Sequence, residues 1–199
     1  MSAMPIYTIG YGNRSIEDFI QLLQKYGIKY LVDIRSQPYS RYSPNFSQDA
    51  LKLHLQQQHI RYVFMGDALG GRPKDSSCYT DDGKVDYTVL RKKDFYQRGI
   101  TRLRTAWEKQ LPIALMCSEM KPEECHRGKL VGNTLVEQGL DITHIDESGN
   151  TKTQDKINQF FTIGQANGQL SFLEPDTQVA LNQKTARSSK KYAPTKESA

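Results

Sequence analysis

IYTIGYGNRSIEDFIQLLQKYGIKYLVDI, residues 6–34, sets the fold. It begins and ends in short apolar runs, Ile6 to Ile9 and Tyr30 to Ile34, each of strand length. Between them Ile16, Phe19, Ile20 and Leu23 recur at helical spacing and predict one buried face. Ser15 suits the N-cap, Asp18 takes the capping-box place usually held by Glu, and Gly27 suits the residue that ends the helix. Strand, helix and strand in about thirty residues make a βαβ unit, whose strands run parallel.

The same alternation continues along the chain. Further strands are predicted at Ile60 to Phe64, Ile113 to Met116 and Ile142 to Ile145, and helices from Ser47 to about Gln57, Ile100 to Lys109, near Glu123 to Gln138, and near Gln154 to Ile163. A short apolar piece, LSFL, follows before Pro175. The expected fold is a three-layer α/β domain over residues 1–175, with a mainly parallel sheet of about five strands and helices on both faces, Rossmann-like. By analogy with doubly wound folds the expected strand order is 3-2-1-4-5. Two connections exceed what such a fold needs, Ser36 to Phe46 and Gly66 to about Asp94. Both leave the carboxyl edge of the sheet, where ligands bind in parallel folds, and loops of that length often border a site.

The formal charge is +5, but residues 184–199 hold five Lys and Arg against one acid, which leaves the rest of the chain nearly neutral. Any weak nucleic-acid contact is therefore expected through the basic tail, residues 176–199, whose composition predicts disorder. No apolar run reaches the roughly eighteen residues of a membrane span, and the first ten residues lack an export signal, so a cytoplasmic location is expected. Three cysteines, Cys78, Cys117 and Cys125, are too few and too uneven for a disulfide framework.

The richest chemistry lies in MCSEMKPEECHRGKLVG, residues 116–132. Cys117 and Glu119 fall on one side of a strand end. Pro122, Glu123 and Glu124 announce a helix start, with Cys125, Gly128 and Gly132 on one face, where the glycines would let the helix approach the sheet and bring Cys125 toward Cys117. Cys125, near a helix N-terminus beside His126 and Arg127, has reasons to be acidic and is a candidate nucleophile. The competing reading is a small buried residue filling a junction, and it is stronger for Cys117. Together Cys117, Glu119, Cys125 and His126 also hold metal-ligating atoms, although the cysteine spacing is not that of a zinc knuckle. No residue is assigned to a resident metal, and no cofactor is implied.

Asp33 lies in an apolar run and needs a partner, so a structural contact with Arg35 or backbone competes with a catalytic role. Gly10 and Gly12 in TIGYGNRS give half of a dinucleotide fingerprint, and Gly70 and Gly71 in LGGRP offer an anion nest beside Arg72. Arg35, Arg41, Arg72 and Arg127 all fall at the same sheet edge, with Tyr11, Tyr39, Tyr42 and Phe46 available to stack on a base. Each arginine could instead pair with an acid on a solvated rim.

The segments TIGYGNRS, DIRSQPYSR, ALGGRP and the stretch Cys117 to Arg127 ending in CHR resemble the bacterial and archaeal domain-of-unknown-function-488 (DUF 488) proteins, over about residues 5 to 149. The resemblance implies a small intracellular α/β protein and points to Asp33, Arg35, Cys117, Glu119, Cys125, His126 and Arg127 as motif residues. It implies no reaction. From the residues, the leading expectation is an enzyme acting on an anionic, nucleotide- or base-containing substrate, as a thiol- or acid/base-dependent transferase or hydrolase. Cys117, Glu119, Cys125, His126 and Asp33 would carry the chemistry, and Gly10, Tyr11, Arg35, Tyr39, Arg41, Arg72 and Arg127 would bind the substrate. The alternatives are a nucleotide or nucleic-acid binding module without catalysis, and a metal-dependent enzyme.

Overall fold

The computed structural model describes residues 4–166, with side chains to Phe160, and the residues up to Phe160 form one compact unit. LSFL and the basic tail lie outside the described residues. Six strands form one sheet: β1 (Ile6–Gly10), β2 (Tyr30–Asp33), β3 (Arg61–Phe64), β4 (Ile113–Cys117), β5 (Ile142–Ile145) and β6 (Thr151–Thr153). Helices α1 (Ile16–Lys25) and α2 (Gln48–Gln57) follow β1 and β2, while α3 (Gly66–Leu69), α4 (Tyr87–Arg91) and α5 (Asp94–Glu108) lie between β3 and β4. After β4 come a 3-10 turn, Pro122–Glu124, a π-helical turn, Arg127–Gly132, and α6 (Asn133–Glu137), and α7 (Gln154–Ala166) follows β6.

The first βαβ unit forms where its residues predict. Ser15 Oγ accepts the Asp18 amide at 3.0 Å, which caps α1, and Gly27 follows the helix at φ +66°. Ile16, Phe19 and Leu23 are buried on the face that meets the sheet, and Ile20 is half-buried.

The strand order is β3-β2-β4-β1-β5-β6, so the expected 3-2-1-4-5 is wrong in its centre. β4 inserts between β2 and β1, parallel to both, with Thr8 opposite Leu115 and Val32 opposite Leu115. The physical reason is burial: all five residues of β4, IALMC, are buried, so this strand gains most from neighbours on both edges and layers on both faces. β6, a polar strand antiparallel to β5, adds an edge that its sequence does not announce.

Ile9, Leu31, Ala114 and Met116 pack with α1 and α2 on one face, while Val32, Ile113, Leu115 and Cys117 pack with α4, α5 and Leu130 and Leu135 on the other. The chain thus leaves β2 toward one layer and β4 toward the opposite layer. Adjacent strands whose connections diverge leave a crevice at their carboxyl ends.

Two local readings need correction. The helix predicted from Ile100 begins at Asp94, and the connection from Gly66 is built of α3, a 3-10 turn at Ser76–Cys78 and α4. The helix predicted from Glu123 is broken at Cys125, which is extended at φ −118° and ψ 149°. Its glycines make room for other groups than the sheet: a side chain at Gly128 would strike the Pro122 carbonyl, and one at Gly132 would strike Gln154 Oε1. Among the described residues, no helix is long and apolar enough to cross a membrane.

Candidate functional site

The crevice between β2 and β4 is a cleft of about 440 Å³, within the usual range for small-molecule sites. Tyr11, Arg35, Ser36, Gln37, Tyr39, Gly71, Arg72, Tyr87, Ser118, Glu119, Glu124, Cys125 and His126 line it. Cys125 is 2% exposed and is the residue from which the following helical segment starts. Its carbonyl accepts the Gly128 and Lys129 amides at 3.1 and 3.0 Å, and its Sγ accepts the Arg127 amide at 3.5 Å. The sulfur therefore occupies an N-cap position, where a thiolate is favoured.

His126 Nδ1 lies 3.5 Å from Cys125 Sγ, and its Nε2 lies 3.0 Å from the Ile34 carbonyl oxygen. A carbonyl only accepts, so Nε2 carries a proton, and Nδ1 faces the sulfur either to take its proton or, once charged, to hold the thiolate. The anchor on Ile34 ties the ring to the end of β2, one residue before Arg35. Gly71 packs on the other side, with space for a hydrogen only: a Cβ there would lie 2.8 Å from His126 Cγ.

Cys117 lies beneath, 1% exposed, and its thiol donates to the Glu119 carbonyl oxygen at 3.6 Å. The two thiols are driven apart in acidity. Burial, together with the neighbouring Cys125 sulfur, pushes Cys117 well above the ordinary thiol range. Burial would raise Cys125 too, but the hydrogen bond from Cys117, the Arg127 guanidinium and the Arg127 amide outweigh it and bring Cys125 below the ordinary value. Tyr87, beside Cys125, is pushed up to about 12 by burial and by the negative charge on that sulfur.

Arg127 sets a buried positive charge beside Cys125. It is fully buried, Nη2 donates to the Met120 carbonyl at 2.6 Å, and Nε and Nη1 have no hydrogen-bond partner among the described residues. Its charged neighbours include Arg14, whose pKa is lowered by burial and by Arg127. His144 is held down to about 4 by burial and by Arg127, against an opposing hydrogen bond with Gln154, and so stays neutral. A guanidinium is always charged, and a buried charge needs a counter-charge. The acidic group beside it is the Cys125 thiol, whose pKa the Arg127 charge helps to lower. Gly10 makes the arrangement possible, since a Cβ there would strike the Glu119 carbonyl oxygen and come within 3.1 Å of Arg127 Nη1.

Asp33 and Arg35 form the second cluster. Asp33 is fully buried: Oδ1 accepts the Arg35 amide at 3.0 Å and Nε at 2.9 Å, and Oδ2 accepts Arg35 Nη2 and the Tyr62 hydroxyl at 2.6 and 2.7 Å. Both oxygens are thus committed, and burial with the Asp33 charge raises the Tyr62 pKa. Arg35 also donates to the Phe46 carbonyl at 2.8 Å and lies 5.3 Å from the Tyr11 ring centre, which stacks on Phe46. Its Nη1 has no hydrogen-bond partner among the described residues, at the wall of the cleft.

The cleft brings together Cys125, His126, Glu119, Arg35, Arg72, Tyr11 and Tyr39 of the expected site residues. Glu119 is exposed and accepts from Ser118 Oγ at 3.0 Å, and the Arg72 amide donates to Ser36 Oγ at 2.8 Å. Cys117, Asp33, Arg127 and Gly10 lie behind this wall, and Arg41 is exposed away from it. Among the described residues no group of three or more His, Cys, Asp or Glu side chains is arranged to hold a metal ion.

Sequence reasoning passed over Tyr87, Ser36 and Gln37 in the cleft. It also passed over a buried polar chain in which Thr8 Oγ and His144 Nδ1 lie 2.7 Å apart, His144 Nε2 meets Gln154 Oε1 at 2.7 Å, and Gln154 donates to Asn133 Oδ1 at 2.9 Å. His144 carried a signal, because it interrupts the apolar run Ile142 to Ile145 as Asp33 interrupts its own. Tyr87 carried none.

No curated protein and no solved structure matches this chain. A family model does, described as a domain of unknown function, DUF488, and it matches residues 15–133. That range includes β2, β4 and the whole Cys117 to Arg127 segment, but not β1 or β5, so the match is narrower at both ends than the resemblance read from the motifs. The chain belongs to the DUF488 family.

Proposed function

We propose that the protein is an enzyme that attacks an anionic substrate with the Cys125 thiolate. The observation that carries this is the Cys125 and His126 contact in the cleft wall, with the ring fixed on Ile34 and the sulfur beside Arg127. A thiol so placed is a nucleophile with its own base. Cys117, whose thiol is held protonated, does not compete for that role, and Asp33 serves to aim Arg35. Glu119, exposed at the cleft, is the group free to exchange protons with a leaving group. Arg35 Nη1 and Arg72 hold the anion, and the Tyr11 and Tyr39 rings favour a nucleotide- or base-containing molecule. A cytoplasmic, reducing setting keeps the thiols available.

The test pairs substrate with variants. Nucleotides, nucleosides and sugar phosphates are screened for turnover or for a covalent adduct seen by mass spectrometry. Adducts on Cys125, lost in C125S, with turnover slowed at least a hundredfold in E119Q, are expected. Full activity in both variants would end the proposal.

A binding module without catalysis is the second reading, favoured by Tyr39 and Tyr42, which are 73% and 95% exposed on the loop after β2. Single-stranded oligonucleotide binding that survives removal of residues 176–199 and falls in Y39A/Y42A would favour it. Binding that vanishes with the tail and with salt is electrostatic only.

A further inference from the structure

We propose that Cys117 and Cys125 form a redox pair in which a hydroperoxide oxidises Cys125 and Cys117 then closes an intramolecular disulfide. The inference rests on the Cys125 thiolate reading and gives Cys117 a task which that reading leaves open. Cys117 ends β4, and Cys125 begins the helical segment that packs back on it. Both side chains lie in the same buried core cluster, and each sulfur bears on the acidity of the other. Cys125 lines the cleft, whereas Cys117 is buried and does not.

That placement assigns the two steps. The Cys125 thiolate attacks the outer oxygen of ROOH, the O–O bond breaks, and RO⁻ leaves and takes a proton as ROH, giving Cys125–SOH. The Cys117 sulfur then attacks the Cys125 sulfur, the S–O bond breaks, and the hydroxyl leaves with the Cys117 proton as water. Two thiols are oxidised and one hydroperoxide is reduced to an alcohol, or to water when R is hydrogen. A dithiol reductant returns the pair to its starting state. The low acidity of Cys117 keeps it from reacting with the hydroperoxide first, and its proton passes to the departing hydroxyl as its sulfur attacks.

Closure requires the two sulfurs to approach to about 2.05 Å. The extended backbone at Cys125 leaves that residue outside the regular helix and able to make the adjustment. Buried Arg127 favours the thiolate before oxidation. Cys78 is an internal control: it is buried in its own turn, and burial with the charges of Asp75 and Asp86 raises its pKa against the opposing charge of Lys93.

The experiment treats the full chain with equimolar hydrogen peroxide, quenches in denaturant with an alkylating agent, and maps all three cysteines by mass spectrometry. The expected product is a Cys117–Cys125 disulfide with Cys78 still free, reversed by dithiothreitol. In C117A, Cys125 should instead be trapped by a sulfenic-acid reagent or advance to the sulfinic acid. Because C117A could fold poorly, C117S and the untreated circular dichroism of each variant are run beside it. Sulfinic acid on Cys125 of the wild type with Cys117 still free would overturn the pairing. If iodoacetamide still finds Cys125 as a thiolate in that case, the nucleophile reading stands while this one falls. If Cys125 resists both reagents, both fall.

Discussion

Arg127 is the residue on which the electrostatics turn, and its effect can be measured apart from any substrate. Replacing it with Gln removes the charge beside Cys125 and is expected to raise the thiol pKa, slowing alkylation near neutral pH about tenfold. R127K, which keeps the charge but not the planar fork, should recover part of that rate. A purely structural Arg127 would lower stability without moving the pH profile of the surviving folded protein. The sequence placed Arg127 in a positive pocket at the sheet edge, with pairing on a solvated rim as the competing reading, whereas it is fully buried behind the cleft. It also held the contrary signal: Arg127, Leu130, Val131, Thr134 and Leu135 recur at helical spacing, and all are buried. Cys125 and His126 were both named as candidates from their place in the chain, but the anchor of the His126 ring was not legible, since it lies on Ile34, far away in the chain.

At the scale of elements, the packing of the loop after α3 on His126 makes a sharp prediction. Gly71→Ala puts a methyl group 2.8 Å from His126 Cγ, so either the loop or the ring must move. The expected cost is about 1–3 kcal/mol in urea unfolding, with Cys125 alkylation slowed as the imidazole loses its position. Unchanged stability together with unchanged thiol reactivity would show that the loop yields freely. The extents of α1, α2 and five strands were readable because hydrophobic period and caps act locally. The order of the strands was not, since period reports which faces are buried and is silent about which edge meets which. β6 escaped because TKT owes its pairing to β5 and not to its own polar residues.

At the scale of the molecule, buried His144 couples folding to pH. Its pKa is lowered from 6.5 to about 4 in the fold, first by burial. Between those values the unfolded chain binds a proton that the folded chain refuses, so its contribution to stability is complete above pH 6.5 and is lost as pH falls toward about 4. The expected slope is about 1.4 kcal/mol per pH unit, levelling off below the folded pKa. Wild type minus H144N isolates it from the other three of the four histidines, and parallel curves for the two would contradict the assignment. The sheet order brings the ends of β2 and β4 together, so that Ile34, His126, Cys125 and Arg127 converge from distant parts of the chain. The measurement that tests this convergence most directly is the alkylation rate of Cys125 in the native protein against pH, followed separately from Cys117 and Cys78 by mass spectrometry. A midpoint below the free thiol value of about 8.5 for Cys125, with Cys117 unreactive throughout, is the predicted result. A Cys125 that reacts only above that value, or only after unfolding, would contradict the account.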